Sequence, residues 1–343
     1  MKKTYNEVLK RIKKIIFSRL WPGFFRFRFA LYDDERVCID GNIFPKDDRF
    51  LGNTAIKYND EFLAIWDMKN SFIEDADILA SKLVHEMFHA FQHLNGEERW
   101  ANELAGLNYR YEPRNLSIKI QENRLLKSLH ERFDWDEYLR FFALRKLREK
   151  HYPQEIDYEA RVEVIEGMAN FVEFLALKQL DRMKYFNVIE KLKARVVDVC
   201  NLIPVRHMCY DVGALLLLVC DENGIPFKQG IGETEKTVYE ILSEDLEIGE
   251  AEVDEEPAVQ KLIRHHERKN VNLIKEFISE KECRVRGKFR VYGFDPMNAV
   301  RHGDYLYSKH FIAYINDDDE IKFIKQENVS KLDEHFNILE IYY

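Results

Sequence analysis

The stretch SKLVHEMFHAFQH, residues 81–93, governs the interpretation of the whole chain. Two histidines, His85 and His89, stand four residues apart with Glu86 between them, and most of the other positions are apolar. Side chains at positions i and i+4 of a helix lie on one face, so both imidazoles can reach one point. Burying two histidines and a glutamate is costly without polar partners, and a metal ion is a suitable partner. The stretch therefore predicts a buried helix that offers two ligands to a metal.

The three residue types suit a hydrolytic zinc site. Zinc lowers the pKa of a bound water molecule and polarises a substrate carbonyl, while Glu86 can take the proton of that water and deliver it to the leaving amine. A catalytic zinc needs a third protein ligand. His93 is one further helical turn along the axis from His89, too far to share its metal, so we expect the third ligand to come from another segment.

A second helical segment, RVEVIEGMANFVEFLALKQ at residues 161–179, carries the candidates for this ligand. Polar side chains recur along one face of the predicted helix, which begins before this segment, and its opposite face is apolar. These polar residues are Glu159, Glu163, Glu166, Asn170 and Glu173. A solvated stripe is the usual explanation for such a pattern. Gly167 favours a different explanation. Glycine inside a helix destabilises it by about 1 kcal/mol relative to alanine, so its presence suggests that a second backbone approaches closely there.

HEMFH followed by EGMANFVE resembles the gluzincin class of zinc peptidases. The resemblance implies that Glu166, which opens the E-G-x-A segment, is the third zinc ligand. It also implies that Glu173, further along the same helix, supports the site from behind the ligands. From the residues alone, Glu163 and Glu103 remain alternative ligands, since a carboxylate oxygen of either could complete the zinc site.

A third segment, RHMCYDVGALLLLVCDENG at residues 206–224, is similar to the Y-x-x-G segment of aminopeptidase-like gluzincins. The resemblance implies that Tyr210, three residues before Gly213, stabilises the tetrahedral oxyanion. A phenol can donate one hydrogen bond to developing negative charge near pH 7. A buried aromatic residue at the start of an apolar helix is the alternative, and His207 and Arg206 are alternative donors.

Two features depart from that class of enzymes. His89 and Glu166 are separated by 76 residues, a longer interval than in thermolysin-like or aminopeptidase-N-like enzymes, which implies extra helices between the two ligand helices. No G-x-M-E-N segment, which anchors the substrate amine in those aminopeptidases, precedes the first ligand helix. The sequence therefore favours an endopeptidase over an aminopeptidase.

The expected fold class is α+β, with the zincin-like architecture that the resemblance implies. Residues 1–70 are predicted to form an N-terminal helix, over 3–18, and a small sheet, and residues 71–242 a helical zinc-binding region. Residues 243–281 read as an acidic connector followed by a charged helix, and residues 282–343 as a small β domain.

Several of the predicted helix and strand positions depend on short sequence patterns. Ser71 and Glu74 form a sequence pattern typical of a capping box, which predicts that the HEMFH helix begins at Ser71. A further helix is expected at about 97–109. The strand FLAIWDM is expected at the edge of the sheet, where it could border the cleft and pair with an extended peptide.

Composition limits the partners and the compartment. The formal charge of −9 and the pI of about 5.8 argue against nucleic acid as a partner. Five widely spaced cysteines without a CxxC pair favour a reducing compartment, and we expect the cytoplasm. The basic N-terminus, residues 1–32, has no apolar run long enough for a signal or membrane-spanning segment, so the membrane is not the expected partner, and a membrane-surface role for the basic helix is the less favoured alternative.

The sequence thus predicts a zinc metallopeptidase that acts on a peptide or protein. In this hypothesis His85, His89 and Glu166 bind Zn²⁺, Glu86 is the general base and Tyr210 is the oxyanion donor. The alternative is a catalytically silent, zincin-like binding or regulatory protein. Nothing in the sequence indicates an oligomeric state.

Overall fold

The computed structural model describes residues 1–228 and 230–343, which form a helical body and two β-sheets. The fold class is therefore α+β, as predicted. The helices are α1 Lys2–Ile12, α2 Ala76–Leu94, α3 Glu103–Gly106, α4 Pro113–Glu131, α5 Trp135–His151, α6 Pro153–Val162, α7 Met168–Leu180, α8 Arg182–Val196, α9 Val205–Glu222, α10 Val238–Ser243 and α11 Pro257–Glu280. The strands are β1 Arg28–Tyr32, β2 Arg36–Ile39, β3 Asn42–Pro45, β4 Thr54–Tyr58, β5 Glu61–Asp67, β6 Cys283–Phe294, β7 Ala299–His302, β8 Tyr305–Ser308, β9 Ile312–Ile315, β10 Ile321–Ile324, β11 Asn328–Leu332 and β12 Asn337–Tyr342.

The first sheet has the strand order β3-β2-β1-β5-β4. β1 and β5 run parallel, and the other neighbours are antiparallel. The FLAIWDM segment forms β5, which lies between β1 and β4, so the expectation that it is the edge strand is wrong. The edge strand on this side of the sheet is β4, which forms a hairpin with β5 through Asn59 and Asp60, both with positive φ. Sequence analysis missed β4 because its residues are only half-buried and show no clear alternation.

Several helix boundaries also differ from the predicted ones. α2 begins at Ala76, because the Asp75 side chain accepts hydrogen bonds from the backbone N–H groups of Asp77 and Ile78. The capping box predicted at Ser71 is therefore wrong. α1 ends at Ile12 rather than at residue 18, and the helix expected over 97–109 is reduced to the single turn of α3.

An aromatic cluster fixes the spacing between α2 and α7. The Trp21 ring packs edge-on against Phe88 of α2 at 5.4 Å and against Phe171 of α7 at 6.3 Å. All three side chains are buried, and burying a large aromatic side chain contributes about 1.5–3 kcal/mol. This packing holds together the two helices that carry the predicted ligands.

A π-helical turn, Glu163–Gly167, joins α6 to α7 and crosses α9 at very short distance. A Cβ atom placed on Gly167 would lie 2.8 Å from the Cα atom of Gly213. The close approach expected at Gly167 is therefore confirmed, and its partner is the glycine of the Y-x-x-G segment. Only glycine at both positions allows these two backbones to touch.

The second sheet is antiparallel, with the strand order β10-β9-β6-β12-β11-β8-β7, and we call it the C-terminal sheet. α11 covers part of one face, where Ile274 and Phe277 pack against Tyr307 and Val329. The predicted charged helix and the predicted C-terminal strands are therefore present. Among the described residues, no helix has both the length and the apolar character that crossing a bilayer requires.

Gly167→Ala tests the crossing of the two backbones. Alanine normally favours a helix by about 1 kcal/mol over glycine. Here the added methyl group must displace the α9 backbone, so we expect a net loss of about 1–3 kcal/mol in the free energy of unfolding. Urea denaturation measures this change. Gly249→Ala is the control, since Gly249 has no atom within 4 Å of the added Cβ, and it should shift stability by less than about 0.5 kcal/mol.

Candidate metal centre

Three donor atoms from two helices meet at one point. His85 Nε2 and His89 Nε2 on α2 lie 3.1 Å apart. Oε2 of Glu166, in the π-helical turn, lies 3.6 Å from His85 Nε2 and 3.2 Å from His89 Nε2. The structure therefore brings together the three residues that the sequence proposed as metal ligands, although Glu166 is distant from the histidines in the chain.

The spacing of these donors fits a zinc ion. Zinc–nitrogen and zinc–oxygen distances of about 2.0–2.2 Å in a tetrahedron separate neighbouring donors by about 3.4 Å. The three separations in the triad, 3.1, 3.2 and 3.6 Å, surround that value. Two imidazoles and one carboxylate are also a donor set that catalytic zinc sites use. His85, His89 and Glu166 could therefore hold a zinc ion with little rearrangement.

The outer nitrogen of each histidine faces a polar partner. His89 Nδ1 lies 2.8 Å from Oε1 of Gln92, whose Nε2 donates to the Ile165 carbonyl at 3.2 Å. His85 Nδ1 lies 3.4 Å from Oε2 of Glu173. Such partners fix the orientation of an imidazole and leave its other nitrogen for a metal. Glu173 thus lies where the family resemblance implied.

Gln92 was missed in the sequence analysis, although a signal for it exists. It is fully buried, lies three residues after His89 and stands in the same apolar helix. Residues at this spacing are neighbours on a helix surface. A buried amide beside a predicted metal ligand could therefore have been recognised as its support.

The charges of the triad compensate one another. Burial disfavours the charged form of His85, but the adjacent Glu166 and Glu173 carboxylates outweigh the effect of burial and raise the pKa of His85 to about 10. Burial also disfavours the charged form of Glu166, yet His89 and His85 lower the pKa of Glu166 well below its usual value. Cations at this point are thus strongly favoured, and a metal dication would compete with protons for the same donors.

Glu86 differs from the carboxylates around it. It is buried and lines the same cleft, but within the described part of the chain it has no hydrogen-bond or ion-pair partner. Burial raises the pKa of Glu86, and His85 and His89 offset this only in part. In contrast, the nearby Lys82 and His85 hold the pKa of Glu173 below its usual value despite its burial. A buried, unpaired carboxylate of this kind is suited to accept a proton.

The side chains around Tyr210 favour it over Arg206 and His207 as a candidate oxyanion donor. Arg206 is engaged by two carboxylates, because its Nη1 donates to Glu103 at 2.6 Å and its Nη2 to Glu166 at 3.1 Å. His207 Nε2 lies 3.2 Å from the Met297 carbonyl. Tyr210 lines the cleft beside Glu166, and burial together with that carboxylate raises the pKa of Tyr210 well above its usual value. Its hydroxyl therefore keeps its proton and can donate it in a hydrogen bond.

The two alternative ligands lie outside the triad. Glu163 forms two hydrogen bonds with Arg145, at 2.7 and 3.0 Å, and both side chains are buried. Glu103 accepts hydrogen bonds from Arg206 and from the Tyr158 hydroxyl. Neither carboxylate contributes to the point where the histidine nitrogens meet.

The predicted polar stripe is buried, so the solvated explanation is wrong. Arg148 and Lys119 neutralise Glu159, as Arg145 neutralises Glu163, within a fully buried network behind the π-helical turn. Glu166 and Glu173 instead face α2. A π-helical turn is wider than an α-helical one and changes the direction of the side chains that follow it. This change separates the structural carboxylates from those of the metal centre.

The triad lies in a cleft of about 1350 Å³. The loop before β4, the first residue of β4 and the end of β5 contribute Asn53, Thr54 and Asp67 to its lining. Phe294–Asn298 and Lys309–Phe311 of the C-terminal sheet line the same cleft. Sequence analysis did not assign these segments to the cleft, because nothing in the sequence places them near α2.

Replacing Glu166 should remove the metal site. We expect wild-type protein incubated with zinc and then dialysed to retain about one zinc per chain by plasma mass spectrometry. Glu166→Ala should weaken zinc binding by more than about 100-fold, because loss of a ligand exceeds the 10–100-fold effect of losing a supporting residue.

Glu103→Gln is the matched control for this measurement. Glu103 was an alternative ligand in the sequence analysis, but it lies outside the triad and touches it only through Arg206. This variant should retain zinc at saturating concentration. Equal loss of zinc from both variants, or no zinc in the wild-type protein, would contradict the assignment of the triad.

The chain shows no match to a protein-family model, to a curated protein or to a solved structure. A functional assignment for this chain therefore rests on the chemistry of the site. The parts that carry it are the three converging donors, the buried Glu86 carboxylate and the protonated Tyr210 hydroxyl in one cleft.

Proposed function

We propose that this chain is a zincin-like, gluzincin-type zinc metallopeptidase that hydrolyses peptide bonds. The observation that carries the proposal is the convergence of His85 Nε2, His89 Nε2 and Glu166 Oε2 beside the buried carboxylate of Glu86. Zinc, when bound by these donors, would acidify a water molecule and polarise the substrate carbonyl. Substrate hydrolysis then requires a base, a donor for the oxyanion and space for a peptide.

Glu86 supplies the base. It accepts a proton from the attacking water, whose oxygen adds to the carbonyl carbon, and it passes that proton to the amine as the C–N bond breaks. Its raised pKa suits both roles, since a carboxylate with a pKa nearer to the working pH both accepts and releases a proton readily. The absence of a competing partner in the described part of the chain leaves Glu86 free for this work.

Tyr210 supplies the donor for the oxyanion. Its neighbour Arg206 is committed to Glu103 and Glu166, and it keeps the ligand carboxylate in place rather than facing the substrate. A fixed hydrogen-bond donor in a sheltered cleft stabilises developing negative charge without reorganising.

The size of the cleft supports a peptide or protein substrate. Its volume of about 1350 Å³ exceeds the range of about 300–1,000 Å³ that is typical of small-molecule sites. The sequence also lacks the amine-anchoring segment of aminopeptidases, so we favour an endopeptidase. All five cysteines are free thiols, which supports a reducing compartment, and we place the activity in the cytoplasm.

Glu86→Gln tests the catalytic mechanism. The amide cannot accept the proton of water, so hydrolysis of a quenched fluorescent peptide library should fall by more than about 10²-fold, within the range attributed to general-base catalysis. Zinc content should stay equal to that of the wild-type protein, because Glu86 is not part of the triad. A zinc-loaded wild-type protein that cleaves no peptide would instead indicate a catalytically silent binding protein.

Tyr210→Phe tests the oxyanion donor. Removing one donor of this kind typically lowers kcat by about 10²–10³-fold, and we expect that loss with little change in KM. Tyr185→Phe is a matched control, because Tyr185 is a buried tyrosine on α8 that does not line the cleft. If Tyr210→Phe retained full kcat, Tyr210 would be only a packing residue.

A further inference from the structure

The C-terminal sheet forms one side of the cleft that contains the metal centre. We call the segments Phe294–Asn298 and Lys309–Phe311 the C-terminal wall. The wall is joined to the helical body at His207 of α9, whose Nε2 lies 3.2 Å from the Met297 carbonyl. His207 is one helical turn before Tyr210. The wall therefore lies close to the residues that the proposed reaction uses.

The wall is held in a defined conformation. The Asp295 side chain accepts hydrogen bonds from the Met297 backbone N–H at 2.9 Å and from Asn298 Nδ2 at 2.8 Å. The Lys309 backbone N–H donates to the Asn298 carbonyl at 3.3 Å and so ties the two segments together. Phe294 is buried in the core of the sheet. A surface fixed in this way can bind a ligand without a large loss of conformational entropy.

The wall presents apolar and basic groups to the cleft. Met297 and Phe311 are partly exposed beside Pro296, and Lys309 is exposed. Asp295 is the acidic residue of the wall, and its oxygens face the turn described above and His310 Nε2 at 3.8 Å. Lys309 therefore places an exposed positive charge on the wall.

Lys309 differs from the other basic side chains that line the cleft. Lys82 pairs with Glu173 at 2.8 Å, and Arg195 pairs with Asp211 through hydrogen bonds of 2.7 and 2.8 Å. Among the residues that the structure describes, no carboxylate lies within 4.0 Å of the Lys309 ammonium group. A free cation on the wall of a cleft attracts a negatively charged ligand group, since low-dielectric walls focus its field.

We propose that the C-terminal wall is a substrate subsite in which Lys309 binds a carboxylate and Met297 and Phe311 contact an adjacent apolar side chain. This inference names the substrate class, and it rests on the proposed function in so far as the ligand is a peptide. The carboxylate belongs either to an Asp or Glu side chain or to the C-terminus of the peptide. Both sources offer the same chemistry to Lys309.

Binding of uncleaved peptides tests the subsite. Zinc-loaded Glu86→Gln protein is titrated into fluorescently labelled peptides of one apolar sequence, and the Kd is measured by fluorescence anisotropy. One peptide carries Glu and an amidated C-terminus, a second carries Gln and a free C-terminal carboxylate, and a third carries Gln and an amidated C-terminus. We expect one of the first two peptides to bind about fivefold more tightly than the third, and the tighter one identifies the source of the carboxylate.

Substitution of Lys309 assigns this preference to the wall. Lys309→Met in the same Glu86→Gln background should abolish the fivefold difference, whereas Lys322→Met should preserve it. Lys322 is exposed on β10 of the same sheet and does not line the cleft. The preference should also weaken between about 0.05 and 0.5 M salt, because exposed charges are screened.

Three results would overturn the proposal. The first is equal binding of all three peptides, and the second is absence of binding. The third is a carboxylate preference that persists in Lys309→Met, which would indicate that the metal binds the carboxylate. Failure of the peptidase assignment gives a different result. In that case the wild-type protein would cleave no peptide, while the Lys309-dependent binding preference would still be observed.

Discussion

The direct contact between two backbones at Gly167 and Gly213 is the constraint on which the candidate site depends. The π-helical turn and α9 lie so close together there that no side chain fits between them. Glu166 precedes one of these glycines, and Tyr210 lies one turn before the other. The crossing therefore brings the candidate metal-binding carboxylate and a phenol together, and α2 supplies the two histidines from the opposite side.

Burial gives chemically identical side chains different roles in this protein. Glu159 and Glu163 are neutralised by arginine and lysine behind the π-helical turn and serve the packing of the helices. Glu166 lies against two histidines, which hold its pKa low, whereas burial raises the pKa of Glu86. Different environments shift the pKa values of neighbouring carboxylates in opposite directions. A carboxylate with a lowered pKa is suited to bind a metal, and one with a raised pKa is suited to act as a base.

Two parts of the chain that are distant in sequence line the cleft. The helical body and the first sheet supply the candidate metal centre and the strand β4, and the C-terminal sheet supplies a wall that carries Lys309. The contact between His207 and Met297 joins these parts. Chemistry and substrate choice would therefore be carried by different regions, so changes in the wall could alter specificity while leaving the triad intact.

The sequence by itself determined the α+β class, the HEMFH helix and the candidates His85, Glu86, His89, Glu166 and Tyr210. The class and the HEMFH helix with its three polar residues follow from local periodicity and from spacing within a helix, whereas Glu166 and Tyr210 follow from the resemblance of two short motifs to the gluzincin class. It also indicated a close contact at Gly167, without naming the partner. Only the tertiary structure decided that Glu166 rather than Glu163 or Glu103 faces the histidines, and that the C-terminal sheet closes the cleft. Both depend on packing between segments that are far apart in the chain. The sequence shows that a residue is glutamate, but it does not show whether an arginine or a metal site lies beside that side chain.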